Sequence, residues 1–149
     1  MRAVVQRISR ASVEVDGVVR GKADKGILVY VGVARGDSEK DAAWLAEKAA
    51  NLRIFEDAYG KMNRSTVEEG GSALVISQFT LLADARKGRR PSYSEAAEPA
   101  DALILYDRFV DSLKGYLPRV ETGVFQAEMR VAYVNEGPVT ILLDSKKAF

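Results

Sequence analysis

The sequence predicts a single α+β domain over residues 1–149, built on a mostly antiparallel or mixed, barrel-like β-sheet with two main helices. Three observations carry this expectation. Strand-like segments outnumber helical ones, in the order β-β-β-α-β-β-α-β-β. Only two stretches place apolar residues at helical spacing. A chain of 149 residues can bury one substantial core but has little room for a second independent domain.

Taken in order, Ala11 to Val15 and Val18 to Lys22 alternate at period two around Asp16-Gly17, a dipeptide suited to the left-handed turn of a two-residue hairpin. After Lys25-Gly26, the run from Ile27 to Val33 is apolar and rich in β-branched residues, as a central strand covered on both faces requires. Asp37 or Ser38 then caps a helix marked by Ala42, Leu45, Ala49 and Leu52. Arg53 to Glu56 returns to strand, Asp57-Ala58-Tyr59-Gly60 turns, and Ala73 to Phe79 forms another buried strand that runs into a loop. Leu103, Tyr106, Val110 and Leu113 mark the second helix, which stops before Pro118. Two last strands, near Val124 to Val134 and Val139 to Leu143, are expected to meet at Asn135-Glu136-Gly137-Pro138. No repeat or linker interrupts the chain.

Composition narrows the chemistry. With 47% apolar and 29% charged residues the chain has the balance of a folded globular protein. No stretch approaches the roughly 18 apolar residues of a membrane span, and the opening lacks a signal-peptide core, so a cytoplasmic location is expected. Cysteine is absent, which removes disulfides and thiolate nucleophiles. Histidine is absent too, which removes Ser-His-Asp and Cys-His catalysis and the usual zinc-hydrolase designs. No metal and no cofactor is expected. A net charge of +1 means that any contact with nucleic acid must be local, and no DNA partner is expected.

Two peptides stand out, Ser77-Gln78-Phe79-Thr80-Leu81 and Asn135-Glu136-Gly137-Pro138-Val139-Thr140. Both resemble the signature motifs of the D-aminoacyl-tRNA deacylase family. The resemblance extends to Val5 to Val13, Arg53-Ile54-Phe55, Gly60 to Asn63, Arg90 to Ser94 and Gly123 to Met129, and so covers essentially the whole chain. The departures, Tyr93 and the tail Ser145 to Phe149, lie at the margins. The resemblance implies a cytoplasmic homodimeric hydrolase that cuts the ester at the 3′ acceptor end of D-aminoacyl-tRNA and also of Gly-tRNA. Two other classes fit the fold: a general hydroxyl-based esterase, and a non-catalytic RNA-binding module.

The resemblance also assigns roles. Gly137 and Pro138, by base rates a turn with a trans bond since only about 5 to 6% of X-Pro bonds are cis, become a cis pair that one subunit projects into the other's site. Two carbonyls turned to one side could accept hydrogen bonds from an α-ammonium and drive an L side chain into the backbone. Arg7 and Asn135 support this loop. Ser77, Gln78, Phe79 and Thr80 form the catalytic segment, where a plain strand terminus satisfying its own backbone is the alternative. Thr80 is the tempting nucleophile, but a hydroxyl needs a base; the 2′-hydroxyl of the terminal adenosine, beside the ester, is the preferred reactive group, with N–H groups near Phe79 and the Gln78 amide stabilising the oxyanion. Phe125 and Met129, four apart in an expected strand, line the adenosine pocket or pack the core. Arg86, Lys87, Arg89 and Arg90 form a solvated loop or, given their place after the first motif, a contact for tRNA phosphates. Arg35-Gly36-Asp37 and Asn63-Arg64-Ser65 resemble adhesion and glycosylation signals that would matter only outside the cell.

Overall fold

The computed structural model describes residues 1–149. Strand β1 (Arg2–Val15) runs through a hairpin into β2 (Val18–Ala23), with Asp16 and Gly17 both at positive φ as the two-residue turn demands. Strand β3 (Gly26–Gly32) pairs antiparallel with the first half of β1, and helix α1 (Glu39–Asn51) follows. Strands β4 (Arg53–Glu56) and β5 (Met62–Ser65) form a separate small sheet. Strand β6 (Ser72–Ser77) lies parallel to β3, a 3-10 turn covers Phe79–Leu82, and α2 (Pro99–Lys114) leads to β7 (Arg119–Thr122), parallel to β6. The chain closes on β8 (Arg130–Asp144), antiparallel to β1 along nearly its whole length.

The main sheet runs β2-β1-β3-β6-β7 and curls until its edges meet, so the expected mixed, barrel-like α+β architecture is present. Closure shows in two contacts: the Lys22 N–H donates to Glu121 Oε2 at 2.6 Å, and a Cβ on Gly21 would lie 2.6 Å from the Thr122 carbonyl oxygen. Only a residue without a side chain lets β2 and β7 approach this closely.

The two faces of β3 and β6 bury different cores, which explains their unbroken apolar runs. Outward, Ile27, Val29, Ala73 and Val75 pack beneath the helices with Leu45, Ala46, Ala49, Phe109 and Leu113. Inward, Leu28, Leu74 and Ile76 fill the barrel with Ile8, Ala11, Val13 and Ala23. Strand β1 serves both cores because its register slips between Ile8 and Arg10, carrying Ala11 and Val13 onto the side of Ile8. The alanines of α1 at 42, 46, 49 and 50 form its buried stripe and admit α2 closely. Ser38 is the N-cap of α1, and Asp41 accepts from the Ser38 N–H at 2.8 Å and from its hydroxyl at 2.7 Å. No helix is long and apolar enough to cross a membrane.

Three local expectations need correction. The segments on either side of Asn135–Pro138 are not a hairpin; both pair with β1, and Glu136 to Val139 bulge from one continuous strand between the pairs Gln6–Thr140 and Ile8–Asn135. The stretch from Gly123 to Met129 is a loop rather than strand, with Gln126 at φ 61°. Strands β5 and β7 are absent from the sequence expectation: β5 forms by folding back antiparallel onto β4, and β7, four residues of mixed polarity, becomes a strand because β6 offers a parallel edge.

Candidate active site

The carboxyl ends of parallel β3 and β6 open into a cleft of about 680 Å³. Val31 and Val33 form its floor, Ser77, Gln78 and Phe79 one side, and Tyr93, Ala96 to Pro99, Ala102 and Tyr106 another. The loop after β7 supplies Phe125, Gln126, Ala127 and Met129. Of the residues the sequence singles out, Ser77, Gln78, Phe79, Phe125 and Met129 therefore share one cavity.

The Ser77–Thr80 segment is held by its backbone. The Gln78 N–H continues the β3–β6 ladder by donating to the Val31 carbonyl at 2.7 Å. The chain then turns, and the N–H groups of Phe79 and Thr80, the first donors of the 3-10 turn, have no partner within it. The Gln78 side-chain amide donates to the Thr80 hydroxyl, leaving its second N–H unused. Thr80 itself does not line the cavity, and neither a carboxylate nor a lysine bonds to it. Arg2 Nη1 donates to the Leu81 carbonyl at 3.1 Å while its Nε holds Asp144 at 3.0 Å, which ties the turn to β1 and β8. On the opposite side Gly32 admits the turn: a Cβ there would lie 2.8 Å from the Gln78 carbonyl oxygen and 2.5 Å from a Leu82 methyl.

The cleft walls are aromatic. Phe79, 58% exposed at the mouth, meets Tyr93 edge-on with centroids 5.1 Å apart. Deeper, Phe125 leans on Tyr106 at 6.0 Å. The Tyr106 hydroxyl donates to the Val75 carbonyl at 3.0 Å, and burial pushes its phenol well above the usual tyrosine range. Met129 reaches the cleft beside Gly123, where a Cβ would lie 2.4 Å from its sulfur. Arg35 and Glu98 are the only charged residues in the lining, and they pair at 2.8 Å. No three acidic side chains converge at metal-binding spacing.

Gly137 and Pro138 lie elsewhere. They sit exposed at the tip of the β8 bulge, joined by a cis bond, and take no part in the lining of the cleft. Arg7, at the bulge, faces Ile27 across β1–β3, whereas the cleft residue Val31 faces Ala3. Four residues of strand, about 13 Å, separate the two levels. The bulge is braced throughout. Asn135 Nδ2 donates to the carbonyls of Arg7 at 3.1 Å and Val139 at 3.0 Å, closing its base. Arg7 donates to the Glu136 carbonyl at 3.3 Å and to the Ile54 carbonyl of β4 at 2.7 Å. Gly137 has φ 115°, and a Cβ on it would lie 2.9 Å from Arg7 Nη2, so conformation and space both demand glycine.

The basic loop is pinned at its neck by two backbone bonds between Asp84 and Ser92, at 2.8 and 2.9 Å. It projects beside Tyr93 at the cleft mouth. Arg86 is engaged by Asp84 at 2.7 Å, whereas Lys87, Arg89 and Arg90 are exposed without an acidic partner. Tyr106, Arg35 and Glu98 line the cleft but escape a reading of the sequence: Tyr106 looks like one apolar position of a helix, and Arg35 lies within the tripeptide set aside as an adhesion signal.

A family model described as D-Tyr-tRNA(Tyr) deacylase matches residues 4–144. The chain is 58% identical to the D-aminoacyl-tRNA deacylase of Kosmotoga olearia and 60% identical to that of Anaeromyxobacter dehalogenans, each over 149 residues and the full length of both chains. The tail from Ser145 is therefore shared by these relatives. Its Ser145 hydroxyl accepts from the Met1 ammonium at 2.6 Å. Among solved structures, one named c-Myc DNA unwinding element binding protein is 39% identical with TM-score 0.91, covering 97% of this chain and 98% of the other. A probable eukaryotic D-amino acid tRNA deacylase, 18% identical, shares the fold with TM-score 0.82 over 95% and 97% of the two chains. The family-model match over residues 4–144, with relatives near 60% identity over the whole chain, places the chain in the D-Tyr-tRNA(Tyr) deacylase family.

Proposed function

We propose that this protein hydrolyses the ester between a D-amino acid and the 3′ end of tRNA, working in the cytoplasm where tRNA is charged. Its family membership supplies the reaction class. The observation that carries the site is the start of a 3-10 turn, with the Phe79 and Thr80 N–H groups left over by the turn itself, at the edge of a cleft with aromatic and thioether walls. The terminal adenosine stacks against Phe125 and Met129, which brings the ester to the turn. The N–H groups of Phe79 and Thr80, with the free Gln78 amide N–H, then receive the developing oxyanion.

The nucleophile is not Thr80. Its hydroxyl accepts from Gln78, and no carboxylate or lysine is bonded to it to take its proton. The 2′-hydroxyl next to the ester activates water or attacks directly, and the protein contributes positioning, an effect worth roughly 7 to 11 kcal/mol of barrier. Chirality is judged by the main-chain carbonyls of the Gly137-Pro138 bulge. Because that bulge sits far from its own cleft, it enters the cleft of a second copy, and the working unit is a two-fold homodimer with two equivalent sites. Those carbonyls hold the α-ammonium and leave no room for an L side chain; glycine, having none, is cleaved as well.

The decisive comparison uses D-aminoacyl-tRNA ending in adenosine or 2′-deoxyadenosine, with wild type and Thr80→Ala. Thr80→Ala retains most activity and the deoxy substrate is inert; the opposite pair of results restores a threonine nucleophile. Gly-tRNA is cleaved and L-Ala-tRNA is not. Light scattering that finds a monomer at assay concentration removes the role in trans. The name of the 39% identical structure raises duplex DNA as a ligand. A net charge of +1 and a single short basic loop supply no stripe long enough to follow a duplex backbone.

A further inference from the structure

The charged residues of the cleft have no part in the chemistry just described. Arg35 stands on the loop after β3, and its placement is fixed from both sides. Its backbone N–H donates to the Glu95 carbonyl at 2.9 Å, and its Nε donates to the Ala96 carbonyl at 3.2 Å. Nη2 meets Glu98, the residue preceding α2, at 2.8 Å. The remaining guanidinium nitrogen, Nη1, has no partner. Both side chains are more than half exposed, 62% and 71%, so water and salt weaken their attraction and either partner is readily exchanged.

Any nucleotide seated on Phe125 and Met129 must leave the cleft through its 5′-phosphate. That phosphate carries a full negative charge, and a cation at the rim offsets the water it gives up beside the apolar walls. Arg35 is the only cation in the lining. We infer that Arg35 is the binding residue for the 5′-phosphate of the terminal adenosine, and that Glu98 holds its guanidinium in place when the cleft is empty and competes with the phosphate when it is filled. The planar fork suits this exchange: Nε stays on the Ala96 carbonyl while Nη1 and Nη2 face the anion. Arg35 would thus measure the distance from the end of the RNA, admitting a nucleotide that continues into a chain in preference to a free nucleoside ester. This inference rests on the deacylase reading, and its test keeps the two apart.

Two small substrates suffice: the 3′-O-D-aminoacyl ester of adenosine, and the same ester of adenosine 5′-(methyl phosphate), which carries the single charge of an RNA linkage. The wild-type protein should cleave both, with KM about tenfold lower for the phosphate-bearing ester, the scale of one charge-assisted hydrogen bond at a partly exposed site. Arg35→Gln should raise KM for that ester about tenfold, leave KM for the adenosine ester unchanged and leave kcat unchanged for both. Arg35→Lys should keep part of the preference, and Glu98→Gln should lower KM for the phosphate-bearing ester alone. Equal KM for the two esters in the wild type overturns the inference. So does an Arg35→Gln defect that is the same on both, which would mark the residue as packing for the loop. Failure of the wild type to cleave either ester or D-aminoacyl-tRNA instead removes the deacylase reading, and the inference falls with it.

Discussion

Gly32→Ala is the sharpest test of where the chemistry lies. Gly32 ends β3 beneath the Ser77–Thr80 turn, with no unusual φ to explain its identity; what it provides is space. An added methyl would sit 2.5 Å from Leu82 Cδ2, 2.8 Å from the Gln78 carbonyl oxygen and 3.1 Å from Leu81 Cβ. The leucine methyl can rotate away, but the Gln78 carbonyl belongs to the backbone that carries the Phe79 and Thr80 N–H groups. Restoring ordinary contact moves that backbone by about half an ångström. A full ångström of misplacement can lower a rate a hundredfold, so roughly a tenfold loss of kcat is expected here. Overpacking of this kind costs about 1–3 kcal/mol, equivalent to a Tm shift of about 3–10 °C in a domain of this size. The comparison is Leu113→Ala, a fully buried position in α2 that does not line the cleft. That variant should lose about 2–5 kcal/mol of stability and keep its kcat. Deacylation of D-aminoacyl-tRNA, followed at saturating substrate well below both Tm values, separates the two. If Gly32→Ala loses stability and keeps full kcat, the Ser77–Thr80 turn is not the catalytic element.

Arg7→Lys replaces a planar fork with a single ammonium that cannot hold the Ile54 and Glu136 carbonyls together; kcat/KM for D-aminoacyl-tRNA should fall about ten- to a hundredfold, with a smaller ratio of D to L cleavage, and unchanged values would uncouple the brace from selectivity. Arg89→Glu with Arg90→Glu should weaken tRNA binding and lower the slope of log K against log salt by about 1 to 2, read from titrations at several salt concentrations; an unaltered slope removes the loop from the interface. For Asp41, burial favours the neutral acid, but Lys146 at 2.8 Å and the Ser38 hydroxyl and N–H outweigh it, holding the carboxyl well below its ordinary value near 3.8. A depressed folded-state value stabilises the protein above pH about 4 and is lost on further acidification. Asp41→Asn should therefore cost about 1 kcal/mol near neutrality, and its Tm should fall less steeply than wild type below pH about 4 in calorimetric scans.

What the sequence made legible were features carried by contiguous residues. The hairpin at Asp16-Gly17, the doubly covered β3 and β6, and both helices follow from local pattern, and the proposed catalytic segment is one short peptide. What stayed hidden depends on partners far along the chain. Asn135-Glu136-Gly137-Pro138 has the composition of a hairpin turn, and only the ladder to β1 makes it a bulge in a single strand. The spacing of Phe125 and Met129 suggested a shared strand face; they do meet in the cleft, but through a loop that doubles back at Gln126 and leaves room for sulfur over Gly123. Arg35 lies 63 residues from Glu98, and no local pattern marks either as part of a cavity.

On the proposed reading the working groups are main-chain atoms: N–H donors on Phe79 and Thr80, and carbonyls of the bulge around Gly137. Such groups cannot be deleted by truncating a side chain; they can only be moved. In an enzyme built on a serine or histidine, the residue bearing the reactive atom is the most sensitive to substitution. Here that order is inverted. Thr80, whose hydroxyl no base addresses, should tolerate alanine better than Gly32 or Gly137 does, because a methyl at either glycine displaces the backbone on which the function rests. The same logic explains how a chain without histidine or cysteine can host ester hydrolysis. The reactive hydroxyl arrives with the RNA, so the sequence need only specify a rigid frame, and the glycines that let that frame close are its most constrained positions.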